Sequence, residues 1–357
     1  MKKVFSFILI LTLLLGGCAE PTPPAPIYEE APAATEKGIT VAGSPLSGVY
    51  SDGVTEYLRL QEFAEALGGS VEITPQEQTF TATLTLGDAT HSFAEGKRYD
   101  GEQWYQPKET LMPLLEGYHS FEDTEKKHTY YTAYPMADNV AEGIDVPILM
   151  YHAVSDNCWG IRQLFVSPKS LEEQLQYLQE NGYTTVTFED FDRLGEIEKP
   201  VMLTFDDGYS DNYTELFPIL QKYNAKATIF LIYNKLDELP YYLTREQVKE
   251  MNASGLVSFQ SHTMSHPNLD TLNEEQLQYE LGQSKLELTR LLGKEVFAVA
   301  YPSGKWSEQS LQVTQAHYQF GRLSRGGTYE SGDHPAKVSR YYVRRSTTLN
   351  EFIDMID

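Results

Sequence analysis

The stretch that decides the fold is VMLTFDDGYSDNY, which runs from Val201 to Tyr213. Its apolar first half predicts a buried β-strand, and this strand ends abruptly at Asp206, Asp207 and a glycine. About fifty residues later, a second apolar run leads into SHTMSH and delivers His262 and His266, which are four residues apart. One helical turn or one tight loop can therefore aim both imidazoles at a single point.

Two histidines and one carboxylate are the ligand set of catalytic divalent metal sites, because such a set leaves a coordination position open for water. Taken alone, an Asp-Asp-Gly segment is usually a solvated turn, and a pair of loop histidines usually belongs to the surface. The two segments together, in this order and at this spacing, are far more specific. The sequence therefore predicts a hydrolytic metal site at the carboxyl end of a strand.

The second half of the chain alternates between helix-like and strand-like segments. The helix-like segments are PKSLEEQLQYLQENG, NYTELFPILQKYN, TREQVKEMNASG and LNEEQLQYELGQSKLELTRLLG, the last with Asn273 as its predicted N-cap. The strand-like segments include TTVTF, AKATIFLI, the run that carries the histidines, and VFAVAYPSG. This alternation predicts a parallel sheet, open or closed into a barrel, with catalytic residues at the carboxyl ends of its strands.

The motifs TFDDGY and HTMSH resemble the first two signature motifs of the polysaccharide deacetylases, carbohydrate esterase family 4. The likeness continues through HPNLDTLNEEQLQYELGQSKLELTRLLGKEVFAVAYPSG to the third motif and covers about Asp145 to Asp357. It implies an α/β fold in which residues 144–357 form an incomplete (β/α) barrel. It also implies a metal-dependent hydrolase that removes N-acetyl groups from an N-acetylglucosamine-containing polysaccharide, such as peptidoglycan or an exopolysaccharide.

Two other functions stay open. A carbohydrate O-acetyl esterase needs the same apparatus, because ester and amide hydrolysis use the same groups. A non-catalytic, glycan-binding surface lipoprotein would carry a degenerate site. Degeneration normally removes a ligand or the base, and this chain keeps Asp206, Asp207, His262 and His266, which favours an enzyme.

The resemblance implies a role for each residue of the two motifs. Asp207, His262 and His266 would bind one divalent metal ion, with Zn²⁺ expected and Co²⁺, Ni²⁺ or Mn²⁺ as alternatives. Such an ion polarises the acetamide carbonyl and lowers the pKa of a bound water. Asp206 would not bind the metal and would take the proton of that water as the general base.

The predicted deacetylase domain opens with IDVPILMYHAV, Ile144 to Val154, a strand-like segment that contains His152. Poly-N-acetylglucosamine deacetylases, whose barrel order is permuted, begin similarly, and this resemblance makes His152 the general acid. Without the resemblance, a histidine at a strand end is more often structural.

The third motif departs from the common pattern of the family. An arginine usually opens it and orients the catalytic aspartate, whereas this chain has Ala300. Permuted members carry an arginine near the carboxyl terminus, where YYVRRSTTLNEF offers Arg344 and Arg345. We expect Arg345 to orient the base, and an ordinary strand-edge arginine is the alternative.

The negative charge that develops on the carbonyl oxygen needs the metal and one more donor. By resemblance, this donor is a main-chain N–H just after Pro302 in AYPSG, which we assign to Ser303. The remaining predicted site-lining residues are Tyr301, Tyr209 and Thr263. Trp159 and Trp306 either stack on sugar faces or belong to the core.

The chain begins with MKKVFSFILILTLLLGGCAE, in which two lysines precede an apolar stretch and Leu-Gly-Gly-Cys. This pattern resembles a bacterial lipoprotein signal peptide over residues 1–17, with Cys18 as the lipidated residue. It predicts a lipid anchor at the extracellular face of the bacterial cell membrane, and a plain secretory signal is the alternative. Residues 18–45 are rich in proline and alanine and are predicted to form a linker.

Residues 46–136 are predicted to form a small α+β domain with an internal repeat. YLRLQEFAEALGG, Tyr57 to Gly69, aligns with YQPKETLMPLLEG, Tyr105 to Gly117, at an offset of 48 residues. The arrangement resembles the stalk-like domain of some copper amine oxidases and many secreted Firmicute proteins. No catalytic constellation is visible in it, so a binding or spacer role is expected.

The acidic composition excludes nucleic acid as a partner and suits a polysaccharide. The chain has 28 Lys and Arg residues against 51 Asp and Glu residues, a formal net charge of −23. Such a charge repels a phosphate backbone. With Cys18 lipidated, Cys158 has no disulfide partner, and the sequence does not indicate an oligomeric state.

Overall fold

The computed structural model describes residues 31–42, 44–76, 79–94, 96–99, 103–133, 144–322, 327–330 and 332–357. The predicted signal peptide and Cys18 lie outside the described residues. The described part folds as a small sheet-rich unit followed by a larger α/β unit. Within it, no helix is both long enough and apolar enough to cross a membrane.

Short strands dominate the first unit. A five-stranded sheet has the order Ala33–Ala34, Tyr50–Ser51, Glu56–Arg59, Gln103–Pro107 and Lys97–Tyr99. A four-stranded sheet has the order Tyr118–Asp123, His128–Ala133, Gly38–Val41 and Ser44–Pro45, and a meander consists of Ser70–Gln76, Thr79–Leu86 and Ala89–Phe93. The helices are Leu60–Ala66, Lys108–Leu111 and the 3₁₀ turn Met112–Leu115.

The internal repeat corresponds to a repeated strand–helix pair. Glu56–Arg59 leads directly into helix Leu60–Ala66, and Gln103–Pro107 leads directly into helix Lys108–Leu111. The two strands pair antiparallel with each other. The resemblance of this unit to a stalk domain stays a prediction.

The predicted linker over residues 18–45 is wrong from Ala33 onward. Gly38–Val41 pairs in parallel with His128–Ala133, and Ile39 and Val41 are buried in the core of the unit. The sequence GITV is a short strand rich in β-branched residues, and the proline and alanine residues before it concealed the pattern. The small unit therefore includes residues 33–42 and 44–45.

The second unit is built on a nine-stranded, curled sheet that forms a half-barrel. Along its main path the order is Phe320–Arg322, Ala298–Ala300, Val257–Ser261, Ala227–Leu231, Pro200–Phe205, Asp145–Tyr151 and Thr328–Glu330. Thr184–Val186 also pairs with Pro200–Phe205, and Tyr341–Tyr342 pairs with Asp145–Tyr151. These pairings are parallel except that of Thr328–Glu330, so the incomplete (β/α) barrel is confirmed. Ala153–Val154 and Phe165–Val166 form a separate two-stranded sheet.

Helices connect the parallel strands. The α-helices are Pro168–Glu180, Phe217–Tyr223, Arg245–Ala253, Glu274–Leu277, Ser284–Leu292, Glu308–His317 and Leu349–Ile353. Two π-helical segments are Asn212–Leu216 and Gln278–Gln283, and the 3₁₀ segments are Arg162–Leu164, Phe188–Glu196, Tyr233–Lys235, Leu269–Thr271, Pro302–Gly304 and Pro335–Lys337. The predicted N-cap is confirmed, because the Asn273 side chain accepts a hydrogen bond from the Gln276 N–H.

Alternation along each strand builds two apolar layers, because successive side chains point to opposite faces of a sheet. The layer that packs against the helices includes Leu149, Leu203, Ile229, Phe259 and Val299. The layer inside the half-barrel includes Ile148, Met202, Phe230 and Ala298, together with Phe188 and Phe191 from the 3₁₀ segment. Asp206 comes directly after the helix-facing Phe205 and so continues the inward row.

The two units contact each other at helix Ser284–Leu292. Arg290 donates from Nε and Nη2 to both carboxylate oxygens of Asp123, at 2.5 and 2.8 Å. Its Nη2 also donates to Glu125 of the same hairpin at 2.9 Å. The Asp123 side chain is buried in this contact, so the ion pair belongs to a closed interface and not to the solvated surface.

Candidate active site

Most of the predicted site residues lie at the carboxyl ends of neighbouring parallel strands. His152 follows strand Asp145–Tyr151, and Asp206 and Asp207 follow strand Pro200–Phe205. His262 follows strand Val257–Ser261, and Pro302 and Ser303 come shortly after strand Ala298–Ala300. This is the edge at which barrel enzymes assemble their catalytic groups.

Asp207, His262 and His266 present three ligand atoms within 4.8 Å of one another. The Nε2 atoms of His262 and His266 lie 3.5 and 3.6 Å from Oδ1 of Asp207. The His262 Nδ1–H donates to the carbonyl oxygen of Ala300 at 2.8 Å, since a carbonyl can only accept. In the neutral imidazole, Nε2 of His262 is then unprotonated and faces the cluster, as metal-binding histidines require. The donor set therefore fits a divalent ion such as Zn²⁺.

The loop that carries the two histidines is a tight turn and not a helix. Thr263 and His266 adopt positive φ angles of 69° and 64°, and the Thr263 hydroxyl oxygen accepts the His266 N–H at 3.0 Å. Glu280 of the neighbouring helix supports the turn. Its carboxylate accepts from the Ser265 N–H at 2.9 Å and from the Ser265 hydroxyl at 2.5 Å, while its backbone carbonyl accepts the Met264 N–H at 3.2 Å.

Asp206 forms a buried, bidentate ion pair with Arg340. Nη1 and Nη2 of Arg340 donate to Oδ1 and Oδ2 of Asp206, each at 2.7 Å. The Arg340 Nη1 also donates to the Thr204 hydroxyl at 3.1 Å. Because both side chains are almost completely buried, this pair fixes the orientation of the Asp206 carboxylate.

The prediction that Arg345 orients Asp206 is wrong. Arg345 donates to two backbone carbonyl oxygens, at 3.0 and 2.9 Å, and Arg344 is exposed. Both arginines follow the strand Tyr341–Tyr342, which is only two residues long. Arg340, which directly precedes that strand, is the arginine that enters the half-barrel.

His152 is partly exposed and lies against the Tyr342 ring, with the ring centroids 5.6 Å apart. Its backbone carbonyl accepts from Nδ2 of Asn212 at 3.0 Å. Its Nδ1 is buried and has no hydrogen-bond partner in the part of the chain that the structure describes. Burial lowers the pKa of His152, and the negative charges of Asp206 and Asp207 oppose this shift.

The site stabilises its carboxylates in the ionised form. Burial disfavours the charge of Asp206, but Arg340 and His262 outweigh burial, so the pKa of Asp206 lies below its ordinary value. Burial of Asp207 is likewise outweighed by its hydrogen bond with His262, and the pKa of Asp207 is lowered. Both side chains are therefore negatively charged at neutral pH, as a base and a metal ligand must be.

The third motif forms a tight turn next to His262. Ser303 has a positive φ of 56°, and its N–H finds no acceptor among the described residues. The placement suits an oxyanion donor. Tyr301, expected to line the site, is instead fully buried and donates its hydroxyl to the Ala336 carbonyl at 2.8 Å, because it follows the inward-facing Ala300 and so points to the helix-facing side of the sheet. Pro302 is also buried.

Comparison with known proteins places these residues in one family. A profile of the polysaccharide deacetylases matches residues 195–320. YxkH of Bacillus subtilis (strain 168), which carries a provisional polysaccharide deacetylase name, is 37% identical over 188 residues, 51% of this chain and 65% of that protein. The poly-beta-1,6-N-acetyl-D-glucosamine N-deacetylase of Staphylococcus aureus (strain MRSA252) is 28% identical over 204 residues, 52% of this chain and 68% of that protein.

A solved structure decides the assignment. The Streptococcus pyogenes deacetylase PplD, solved in complex with acetate, is 30% identical, has a TM-score of 0.56, and is matched over 99% of its length by 60% of this chain. The chain belongs to the polysaccharide deacetylase family. This chain spans 65% of the length of the Bacillus subtilis relative that it matches.

Tyr209 and Trp306 of the α/β unit differ in their surroundings. Burial, together with the charge of the nearby Asp207, raises the pKa of Tyr209. Trp306 packs at the edge of the core, with Nζ of Lys337 4.2 Å from the centroid of its ring. Tyr209 therefore lines the deacetylase site, whereas Trp306 is engaged by other side chains.

Sequence reasoning missed two residues of the deacetylase site, Arg340 and Glu280. For Arg340, the signal was a third arginine directly before YYVRR. The strand there has only two residues, so its pattern does not show which of the three arginines points into the half-barrel. For Glu280, the helical pattern gave no signal, because its carboxylate acts on a loop that is distant in sequence and its exposed helix neighbours are also acidic.

Proposed function

We propose that the chain is a metal-dependent N-deacetylase of an N-acetylglucosamine-containing polysaccharide. The observation that carries this proposal is the cluster of Asp207, His262 and His266 at the same strand ends as the buried, ionised Asp206. Similarity to the Staphylococcus aureus poly-beta-1,6-N-acetyl-D-glucosamine N-deacetylase supports the choice of sugar. Peptidoglycan or an exopolysaccharide is the proposed polymer.

The residues of this chain account for each proton of the proposed reaction. An ion held by Asp207, His262 and His266 would supply a Lewis acid and a water of lowered pKa. Asp206, kept ionised and oriented by Arg340, accepts the proton of the attacking water as its oxygen bonds to the carbonyl carbon. The Ser303 N–H donates to the carbonyl oxygen as charge develops there. A protonated His152 gives its proton to the amide nitrogen, the C–N bond breaks, and acetate and a free amine are released.

Acetate release from defined substrates tests the proposal. The chelator-treated protein is expected to be inactive and to regain activity with Zn²⁺ or Co²⁺ on N-acetylglucosamine oligomers or peptidoglycan. His262→Ala and His266→Ala should lose most of the bound metal by elemental analysis, because two remaining ligands rarely hold a hydrolytic ion. His91→Ala, in the small unit, is the matched control. Release of acetate from acetylated xylan alone would establish the O-acetyl esterase instead.

Substitution within the adjacent aspartate pair separates the base from the ligand. Asp206→Asn is expected to keep the metal and lose about 10² to 10⁴ in turnover, the range for a positioned acid–base group. Asp207→Asn should lose metal affinity as well. A metal-free Asp206→Asn variant, or one with near-normal turnover at saturating metal, contradicts these roles.

We also propose that the protein is lipid-anchored at Cys18 on the outer face of the membrane, because residues 1–17 resemble a lipoprotein signal. A lipidated protein should partition into the detergent phase, and Cys18→Ala should release it to the medium. Wild-type protein found free in the medium and cut at another position would contradict the anchor.

A further inference from the structure

Exposed apolar side chains cluster beside the candidate active site. Of the seven large apolar residues exposed in the described part of the chain, four lie on two neighbouring loops. They are Trp159, Ile161, Leu239 and Tyr241, with exposed fractions of 39%, 70%, 68% and 46%. A contiguous patch of this kind marks a binding surface more often than single exposed side chains do.

Backbone hydrogen bonds attach one of these loops to the catalytic turn. The Ser210 N–H donates to the Tyr241 carbonyl at 2.9 Å, and the Leu243 N–H donates to the Gly208 carbonyl at 3.0 Å. Ser210 and Gly208 belong to the same turn as Asp207. The exposed Tyr241 therefore has a fixed position relative to the metal ligand.

Ring contacts connect the patch to the site. The Trp159 ring centroid lies 4.6 Å from that of Tyr241 and 4.9 Å from that of Tyr209. Tyr209 belongs to the same turn as Asp207 and follows it by two residues. The Tyr209 ring therefore connects the turn that carries the metal ligand to the exposed tryptophan.

We propose that Trp159 and Tyr241 form a subsite for a second sugar ring of the polysaccharide, next to the sugar whose acetamide reacts. This inference rests on the proposed function, since it takes the reacting sugar to lie at Asp207. A pyranose presents an apolar C–H face, and aromatic rings offer a large, rigid apolar surface for it. The hydroxyl of Tyr241 and neighbouring backbone groups can bind the hydroxyls at the rim of the sugar.

A lipid surface is the other partner that such a patch could suit, and charge argues against it. The same two loops carry Asp156, Asp237 and Glu238, which pair with Arg345, Arg245 and Lys235, and within the described residues they carry no cluster of unpaired lysine and arginine. Anionic membranes attract clusters of lysine and arginine and repel carboxylates. A neutral sugar is neither attracted nor repelled by these charges.

The dependence of activity on chain length tests the subsite. Acetate release is measured on N-acetylglucosamine oligomers from two to six sugars, with the Zn²⁺-loaded full chain. Trp159→Ala and Tyr241→Ala should lower kcat/KM about tenfold on the longer oligomers, mainly through KM, and less on the dimer. Trp159→Phe keeps a ring and should lose less than Trp159→Ala. Tyr279→Ala, which removes an equally exposed tyrosine from another surface, is the matched control.

Binding provides a readout that does not depend on turnover. Calorimetric titration of the Asp206→Asn variant with the hexamer should give a Kd that Trp159→Ala weakens about tenfold. A loss that is the same at every oligomer length, an unchanged KM and Kd, or a loss of binding to vesicles of anionic phospholipid instead would each overturn the subsite. If the wild type releases no acetate from any oligomer, the proposed function fails, and the hexamer titration alone then decides the subsite.

Discussion

At the scale of single residues, the most informative contact is the ion pair between Asp206 and Arg340. A buried carboxylate is costly unless it is paired and hydrogen-bonded, and Arg340 meets both of its oxygens at 2.7 Å. The pair therefore holds the proposed base ionised and in one orientation before substrate arrives. The same burial makes the pair sensitive to the loss of either partner.

We predict that Arg340→Ala lowers turnover by about 10² or more while the metal stays bound, because Asp206 loses its orientation. The unpaired buried carboxylate should also destabilise the fold by about 3 to 5 kcal/mol. Arg340→Lys, which keeps the charge without the bidentate geometry, should give an intermediate activity. Arg345→Ala is the matched control for acetate release and metal content. Greater loss of turnover in Arg345→Ala than in Arg340→Ala would restore the assignment to Arg345.

Asp211 should make stability depend on pH. Its Oδ1 accepts from the Val154 N–H at 2.9 Å, its Oδ2 is buried without a partner among the described residues, and burial raises its pKa from 3.8 to about 6. Its stabilising contribution is therefore complete below about pH 4 and is lost as the pH rises through 6. Relative to Asp211→Asn, the wild type should lose up to about 3 kcal/mol between pH 4 and 7.

Denaturant unfolding of the wild type and of Asp211→Asn at several pH values measures this difference. The charge of nearby Glu215 acts in the same direction as burial, so Glu215→Gln should reduce the effect slightly. A stability difference that does not change with pH would show that Asp211 titrates normally.

At the scale of elements, two π-helical segments flank the site. Asn212–Leu216 starts just after the catalytic turn, and its Asn212 side chain donates to the His152 carbonyl at 3.0 Å. Gln278–Gln283 contains Glu280, whose backbone carbonyl accepts a hydrogen bond from the histidine loop. A π-bulge leaves helix backbone groups available to outside partners and often occurs at functional sites. Both irregularities therefore act on loops that carry proposed catalytic or metal-binding residues.

We predict that Glu280→Ala weakens metal binding about 10- to 100-fold, the usual effect of removing a residue that supports a ligand. The Ser265 N–H and hydroxyl would lose their acceptor, and the turn that positions His266 would loosen. Glu280→Gln keeps an acceptor and should lose less. Competition with a fluorescent chelator measures the affinity, and Glu275→Ala, an exposed glutamate on the same helix, is the control. Equal affinities in Glu280→Ala and Glu275→Ala would contradict the role.

Regular elements of the α/β unit were predictable because each carries its own periodicity, cap or terminating glycine. The helices Pro168–Glu180 and Phe217–Tyr223, which precede TTVTF and AKATIFLI, and the N-cap Asn273 are local features. Arg340 and the strand Gly38–Val41 were not predictable, since each depends on a partner that is distant in sequence. Strands of two and four residues are too short for their hydrophobic pattern to show which distant residues they contact.

At the scale of the whole molecule, Arg290 makes the ion pairs that join the small unit to the α/β unit in the described part of the chain. Arg290 bridges Asp123 and Glu125 of the small unit and also Glu287 of its own helix, at 2.5 to 2.9 Å. Glu287 in turn accepts from the Tyr233 hydroxyl at 3.0 Å, and Tyr233 donates its N–H to the Thr263 carbonyl at 3.2 Å. A continuous set of contacts therefore runs from the small unit to the histidine loop.

We predict that Arg290 and Asp123 are energetically coupled across the two units. Each single variant, Arg290→Ala and Asp123→Ala, should lower the free energy of unfolding by about 1.5 to 3 kcal/mol, because it removes two charged hydrogen bonds to a buried side chain. The double variant should cost less than the sum of the single variants, by about 0.5 to 3 kcal/mol. Asp123→Ala combined with Arg193→Ala, whose arginine pairs within the deacetylase unit, should be additive. Additivity of the Arg290 and Asp123 effects would mean that the two units do not hold each other through this contact in solution.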